Sequence, residues 1–168
     1  MRIAILALSA LLMVSACKKA EKNEIYNENN TVAKDGVVYN IDEKPINGLY
    51  RTYHSNGNIK MEVYSKNGLP NGQGKFYNED GTLLYEGTFE NGEPIGTIYH
   101  YYRNGKVHNE QNYAEGVLHG VQQTFDKKGE LSVEVVYDKG KALSGYVVVN
   151  GEKVSFTPEE LEQLENKE

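Results

Sequence analysis

The side chains of this chain that could do chemistry are four histidines, one cysteine, a recurrent glutamate and 13 tyrosines. Histidines act as metal ligands when their spacing sets two of them on one face, as in an HExxH helix. His54, His100, His108 and His119 show no such spacing and share no repeat position, so they read as structural or surface residues. Glu62, Glu86, Glu110 and Glu134 recur at a constant step of 24. On successive hairpins they would stand two strands apart, roughly 9–10 Å. At that spacing, exposed carboxylates repel by a few tenths of a kcal/mol, mostly screened. A solvated face with cross-strand partners explains them better than a metal site. The glycines recur at turns and do not open a helix as a phosphate loop would, while Ser and Asp are scattered. No catalytic residue, metal or cofactor is expected, so the chain reads as a non-enzymatic protein. Cys17 is the exception, because its surroundings give its thiol a specific use.

Residues 1–16 carry one positive charge, Arg2, then an apolar run, then the small residues Ser15 and Ala16. That is the layout of a secretory signal peptide. A membrane-spanning helix needs about 20 apolar residues, and this run ends at Cys17. The stretch Val14-Ser15-Ala16-Cys17 resembles the lipobox of bacterial lipoproteins. The resemblance implies cleavage between Ala16 and Cys17, a diacylglycerol on the Cys17 sulfur and acylation of the freed amine. A secreted chain with one cysteine has no internal disulfide to make, which suits an attachment role. Two or more acyl chains suffice for stable anchoring, at about 0.8 kcal/mol per buried CH₂. In a host with two membranes, Lys18 stands where inner-membrane retention is associated with Asp, which favours the outer membrane.

Removing residues 1–16 takes away Arg2 and no acid, leaving 17 basic and 24 acidic side chains, a net charge of −7. Nucleic acid is excluded as a partner on this balance, since it needs clustered Lys and Arg. Residues 17–34 are polar, rich in Lys, Glu and Asn, and without apolar periodicity, and are expected to be a flexible tether reaching roughly 20–25 Å.

From residue 46 the chain repeats with a period of 24, the signature of a repeat array. Gly48, Gly72, Gly96 and Gly120 share one position. Tyr53, Tyr77, Tyr101 and Phe125 share a second, and Gly57, Gly81, Gly105 and Gly129 a third. Ile59, Leu83, Val107 and Leu131 form another column, and Gly68, Gly92, Gly116 and Gly140 close the units. Runs rich in Tyr, Val and Ile flank Asn56-Gly57, Asp80-Gly81 and Asn104-Gly105, so each unit is a β-hairpin. A two-residue turn would pair Tyr53 with Lys60. A three-residue turn, Ser55-Asn56-Gly57, pairs Tyr53 with Ile59 and is preferred, with Gly57 in the left-handed position of a G1 bulge. Strict alternation then places Phe89, Tyr113 and Tyr137 on the face of Leu83, Val107 and Leu131, and the glutamates on the other face. Val37-Val38-Tyr39 reads as a first strand. Tyr146-Val147-Val148-Val149, turned by Asn150-Gly151, reads as a last half unit. Thr157, Pro158, Glu159 and Glu160 read as N-cap, N1 and an acidic first turn. Leu161 and Leu164 give that helix an apolar side that could cover the last sheet edge. The expected fold is all-β: an elongated single-layer antiparallel sheet over residues 35–156, with a capping helix and tail over 157–168.

One unit runs Gly96-x4-Tyr101-x3-Gly105-x-Val107-x2-Glu110-x2-Tyr113-x2-Gly116. It resembles the second variant of the MORN repeat, over about residues 46–145. The resemblance implies an elongated sheet of hairpins. Many bacterial chains of this kind carry the label of antitoxin component, and eukaryotic MORN proteins are linked to membranes and scaffolding. Tyrosine suits half-buried positions, because its ring packs while its hydroxyl stays wet. Two readings of the rings stand side by side: packing within the repeat core, and a docking patch at Tyr99, Tyr101 and Tyr102. The leading functional expectation is a binding or scaffold module on a membrane, held by lipid on Cys17, with a protein or glycan partner. An antitoxin-like inhibitor is the alternative, and a hydrolase of envelope polymer is disfavoured by the lack of a catalytic set. Intact-mass measurement should find a lipid-sized addition on the native protein and none on Cys17→Ser; equal, lipid-free masses would remove the anchor.

Overall fold

Two kinds of turn alternate along the chain and make it a meander. At Asn67-Gly68, Asn91-Gly92, Glu115-Gly116 and Lys139-Gly140 both residues have positive φ, near 50° and then 78–93°. These are the two-residue turns whose twist matches that of the flanking strands. At the other end of each unit the loop has three residues. His54 N–H donates to the Asn58 carbonyl (2.8 Å) and Gly57 N–H to the His54 carbonyl (2.9 Å), with Gly57 at φ 86°. Asn78, Tyr102 and Asp126 repeat this pattern. Tyr53 faces Ile59, Tyr77 Leu83, Tyr101 Val107 and Phe125 Leu131, the pairing that the three-residue turn predicts.

The computed structural model describes residues 25–160. Its strands are β1 (Ile25–Asn27), β2 (Thr31–Lys34), β3 (Val37–Asn40), β4 (Gly48–Tyr53), β5 (Ile59–Lys66), β6 (Leu69–Tyr77) and β7 (Leu83–Glu90). They continue as β8 (Glu93–Tyr101), β9 (Val107–Ala114), β10 (Val117–Leu118), β11 (Gly120–Phe125), β12 (Leu131–Asp138), β13 (Lys141–Val149) and β14 (Glu152–Phe156). One sheet runs β1-β4-β5-β6-β7-β8-β9-β11-β12-β13-β14, with β10 beside β9, and β2–β3 form a separate hairpin. Every pair is antiparallel except β1–β4. The all-β, single-layer reading therefore holds, with one parallel pair at its start. The expectations for residues 1–16, Cys17, Leu161 and Leu164 lie outside the described residues.

Three local expectations are corrected. Residues 25–34 are not all tether: Ile25–Asn27 pairs with Leu49–Arg51, and Thr31–Lys34 pairs with Val37–Asn40. The chain there turns on Asp35-Gly36, both at positive φ, a two-residue hairpin signal like those inside the array. The other two corrections share one cause. Lys60, Leu84, His108 and Ser132 are each an extra residue: Tyr77 faces Leu83, yet Phe76 faces Tyr85. Such a bulge sets two residues against one and reverses the alternation beyond it. Phe89 therefore lies with Phe76 and Tyr85, on the face opposite Leu83, and Tyr113 and Tyr137 follow the same rule. The glutamate column lies on the same face as Tyr53, Tyr77, Tyr101 and Phe125, not the other one.

The two faces differ in character. On the aromatic face Phe76 and Tyr85 stack at 4.0 Å with rings 14° apart, Phe89 meets Phe76 edge-on at 6.1 Å, and His100 tilts against Tyr85 at 5.3 Å. Val63 and Ile98 are buried there. Ile98 fills the space left by Gly87, where a Cβ would stand 2.1 Å from its Cδ1. The unit is broken at His119, and Gln122 mends the gap. Its Oε1 accepts the Asn112 N–H (2.7 Å) and its Nε2 donates to the Asn112 carbonyl (3.0 Å). Thr157 and Glu160 cap the start of the helix reciprocally, Glu160 N–H to Thr157 Oγ1 and Thr157 N–H to Glu160 Oε2.

Units are also linked at both ends. Gly68, Gly92 and Gly140 donate their N–H groups to the carbonyls of Ile46, Pro70 and Leu118, at 2.8–2.9 Å. Gly68 is the tightest of these: a Cβ there would lie 2.5 Å from the Val38 carbonyl oxygen. Gly81 has the same left-handed φ with nothing within 4 Å. Gly81→Ala should therefore cost only the left-handed strain, about 1–2 kcal/mol. Gly68→Ala adds overpacking against backbone and should cost about 2–5 kcal/mol. Urea denaturation of the two variants checks the order.

Candidate functional site

The face that carries the glutamates is the candidate site, because cross-strand pairs there bring the recurrent polar residues together. The bulge after each three-residue turn puts the tyrosine column and the glutamate column on one side. Register then sets Arg51 opposite Glu62, and Lys75 between Glu62 and Glu86. Arg51 Nε lies 3.0 Å from Glu62 Oε2, and Lys75 Nζ 3.4 Å from Glu86 Oε2. Each pair is half-exposed and contributes at most about 1 kcal/mol. The tyrosines add a second tie. Tyr77 Oη donates to Glu62 Oε1 (3.1 Å), and Tyr101 Oη to Glu86 Oε1 (2.7 Å). Each bond reaches back 15 residues, so it ties neighbouring units together. Sequence reasoning missed this ladder; the constant 15-residue offset between the two columns was its visible signal.

Of the three tyrosines singled out from sequence, Tyr99 and Tyr101 share this face, alternate along β8 and are half-buried. Tyr102 belongs to the hairpin tip. Its ring tilts over His108 at 4.4 Å, and its hydroxyl donates to the Phe125 carbonyl (2.8 Å). Of the three expected residues, two therefore share this face, while Tyr102 joins units at the tip. His54 has the same role at an earlier tip, with Nε2 2.8 Å from the Tyr77 carbonyl. His100 Nε2 lies 2.9 Å from Gln111 Oε1, and His119 Nδ1 3.3 Å from Asp138 Oδ1. The structure thus spreads the four histidines over different partners. Burial, aided by His108, pushes His100 below the ordinary imidazole value, against the pull of Gln111.

A shallow depression of about 220 Å³ opens on the glutamate face, with Gln73, Lys75, Glu86, Thr97 and Tyr99 around it. Four tandem stretches, residues 46–67, 70–91, 94–115 and 118–139, match the family described as MORN repeat variant. Together they span more than half of the chain. The chain belongs to the MORN repeat variant family. MORN repeats are generally binding or scaffold modules. The two residues between successive matches include Gly68, Gly92 and Gly116, so the family boundary falls in the two-residue turns. No curated protein matches the chain.

Within this MORN array, Tyr101 is the residue whose chemistry the face changes most. Burial first, then its bond to Glu86 and the charges around it, push its phenol up to about 12. An unfolded tyrosine ionises near 10. Above that pH the unfolded chain loses the proton first, so the contribution of Tyr101 to stability falls as pH rises from about 10 towards 12. Denaturation midpoints measured from pH 9 to 11 should fall less steeply for Tyr101→Phe than for the native protein; equal slopes would show that folding does not raise the Tyr101 phenol.

Proposed function

We propose that this chain is a membrane-anchored binding or scaffold protein. Acyl chains on Cys17 would hold it at the bacterial envelope, and the MORN array would present the glutamate face to a protein or glycan partner. The observation that carries the binding role is a single-layer sheet whose middle strands keep half-exposed tyrosines and carboxylates aligned on one face. Half-exposed aromatic rings beside polar groups are the composition of recognition surfaces. The anchoring half rests on the lipobox-like run and the lone cysteine. At full extension the chain from Cys17 to Ile25 spans no more than about 28 Å, so the array would work close to the membrane surface.

The test is crosslinking in envelope fractions, comparing the full lipidated chain with a lipidated chain that lacks residues 46–139. A partner captured by the first and absent from the second is the expected result. Capture by both, or by neither, would overturn the binding role of the array.

A further inference from the structure

The four equivalent glutamates are not equally satisfied. Glu62 has Arg51 and the Tyr77 hydroxyl, and Glu86 has Lys75 and the Tyr101 hydroxyl. Glu134 accepts a bond from Gln123 Nε2 (2.8 Å). Among the described residues, Glu110 is the member of the column with no side-chain hydrogen bond or ion pair. Two changes in the repeat account for this. Tyr99 stands at the position of Arg51 and Lys75, directly across from Glu110. Phe125 stands at the position of Tyr77 and Tyr101, where the ring remains and the donating hydroxyl is gone. The third neighbour, Gln123, faces both Glu110 and Glu134 and gives its amide to Glu134.

The outcome is a half-buried carboxylate with its internal cation and its internal hydroxyl both replaced by aromatic rings. We propose that Glu110, Tyr99 and Phe125 form a seat for a lysine or arginine side chain of a protein partner. A carboxylate provides the charge-assisted bond and an aromatic face the cation–π contact that such a side chain takes. Arg51 and Lys75 do the first of these jobs in cis two units and one unit earlier. A metal ion is a poor occupant, since calcium takes about six to eight oxygen ligands and this position offers one carboxylate. The depression beside Tyr99 gives the partner's backbone a place to lie. The charge of the chain without residues 1–16, −7, favours a basic partner as well. This inference rests on the binding role proposed above and narrows its partner to a protein with an exposed basic residue.

The probes are acetyl-argininamide and acetyl-lysinamide, with uncharged acetyl-citrullinamide as control, titrated into the full chain and followed by amide chemical shifts. Shifts centred on Tyr99 and Glu110, absent with citrulline and reduced at about 0.5 M salt, are expected. Glu110→Gln should abolish them. Tyr99→Lys should do the same by filling the seat from within, and circular dichroism establishes that each variant is folded. Equal shifts with citrulline, shifts spread evenly over Glu62, Glu86, Glu110 and Glu134, or shifts retained in Glu110→Gln would overturn the seat. The envelope crosslinking separates the two ideas. A partner captured equally by the native chain and Glu110→Gln sinks the seat and leaves the binding role standing. Probe shifts as expected, with no captured partner, sink the binding role instead.

Discussion

An inserted residue just after the three-residue turn of each unit governs the rest of this structure. Lys60, Leu84, His108 and Ser132 each stand where two residues of one strand oppose a single residue of the next. Without them, strict alternation would turn the tyrosines away from the carboxylates. With them, the strand changes sides just after the three-residue turn. The large aliphatic residues at the tips then share a face with glutamate, while Phe76, Tyr85 and Phe89 gather on the other face. A single-layer sheet has no second layer to correct such an assignment, so the bulge decides which surface carries the carboxylates and which carries Phe76, Tyr85 and Phe89.

Stability in this arrangement comes from neighbours. Few side chains are fully buried: Ile46, Val63, Ile98 and Ala142 are the buried apolar residues among those described. The remainder is spread over cross-strand pairs, aromatic stacking along Phe76, Tyr85 and His100, and links that reach from one unit to the next. Those links come from both ends, turn N–H groups at one and His54 and Tyr102 at the other. The Tyr–Glu bonds add ties between units in the middle. Each contribution is small and recurs from unit to unit, so the array is stabilised cooperatively along its length.

Repetition also makes departures from the pattern readable. Where Tyr77 and Tyr101 donate to a glutamate, Phe125 cannot, and where Arg51 and Lys75 supply charge, Tyr99 does not. Glu110 is left with rings in place of partners. The same substitutions that thin the internal ladder at this unit leave its carboxylate without a side-chain partner. A binding face can be made in this way from the scaffold's own contacts, without inserting a loop or a pocket.

The period of 24, the all-β class, the three-residue turns and the pairing of Tyr53 with Ile59 and its equivalents were legible from residue types. Asn-Gly and Asp-Gly have local conformational preferences, and a turn's length sets the pairing beside it. The N-cap at Thr157 was legible for the same reason, because its bonds reach only as far as Glu160. The facing of the glutamates was not, and neither was the strand at Ile25–Asn27. The bulge that reverses the strand leaves no mark in residue type, since Lys60, Leu84, His108 and Ser132 have nothing in common as side chains. Its position is decided by how two strands pair, and the pairing of β1 with β4 joins residues that are 24 apart in sequence. Local chemistry therefore determined the units of this protein, and only the pairing between strands decided which side chains meet.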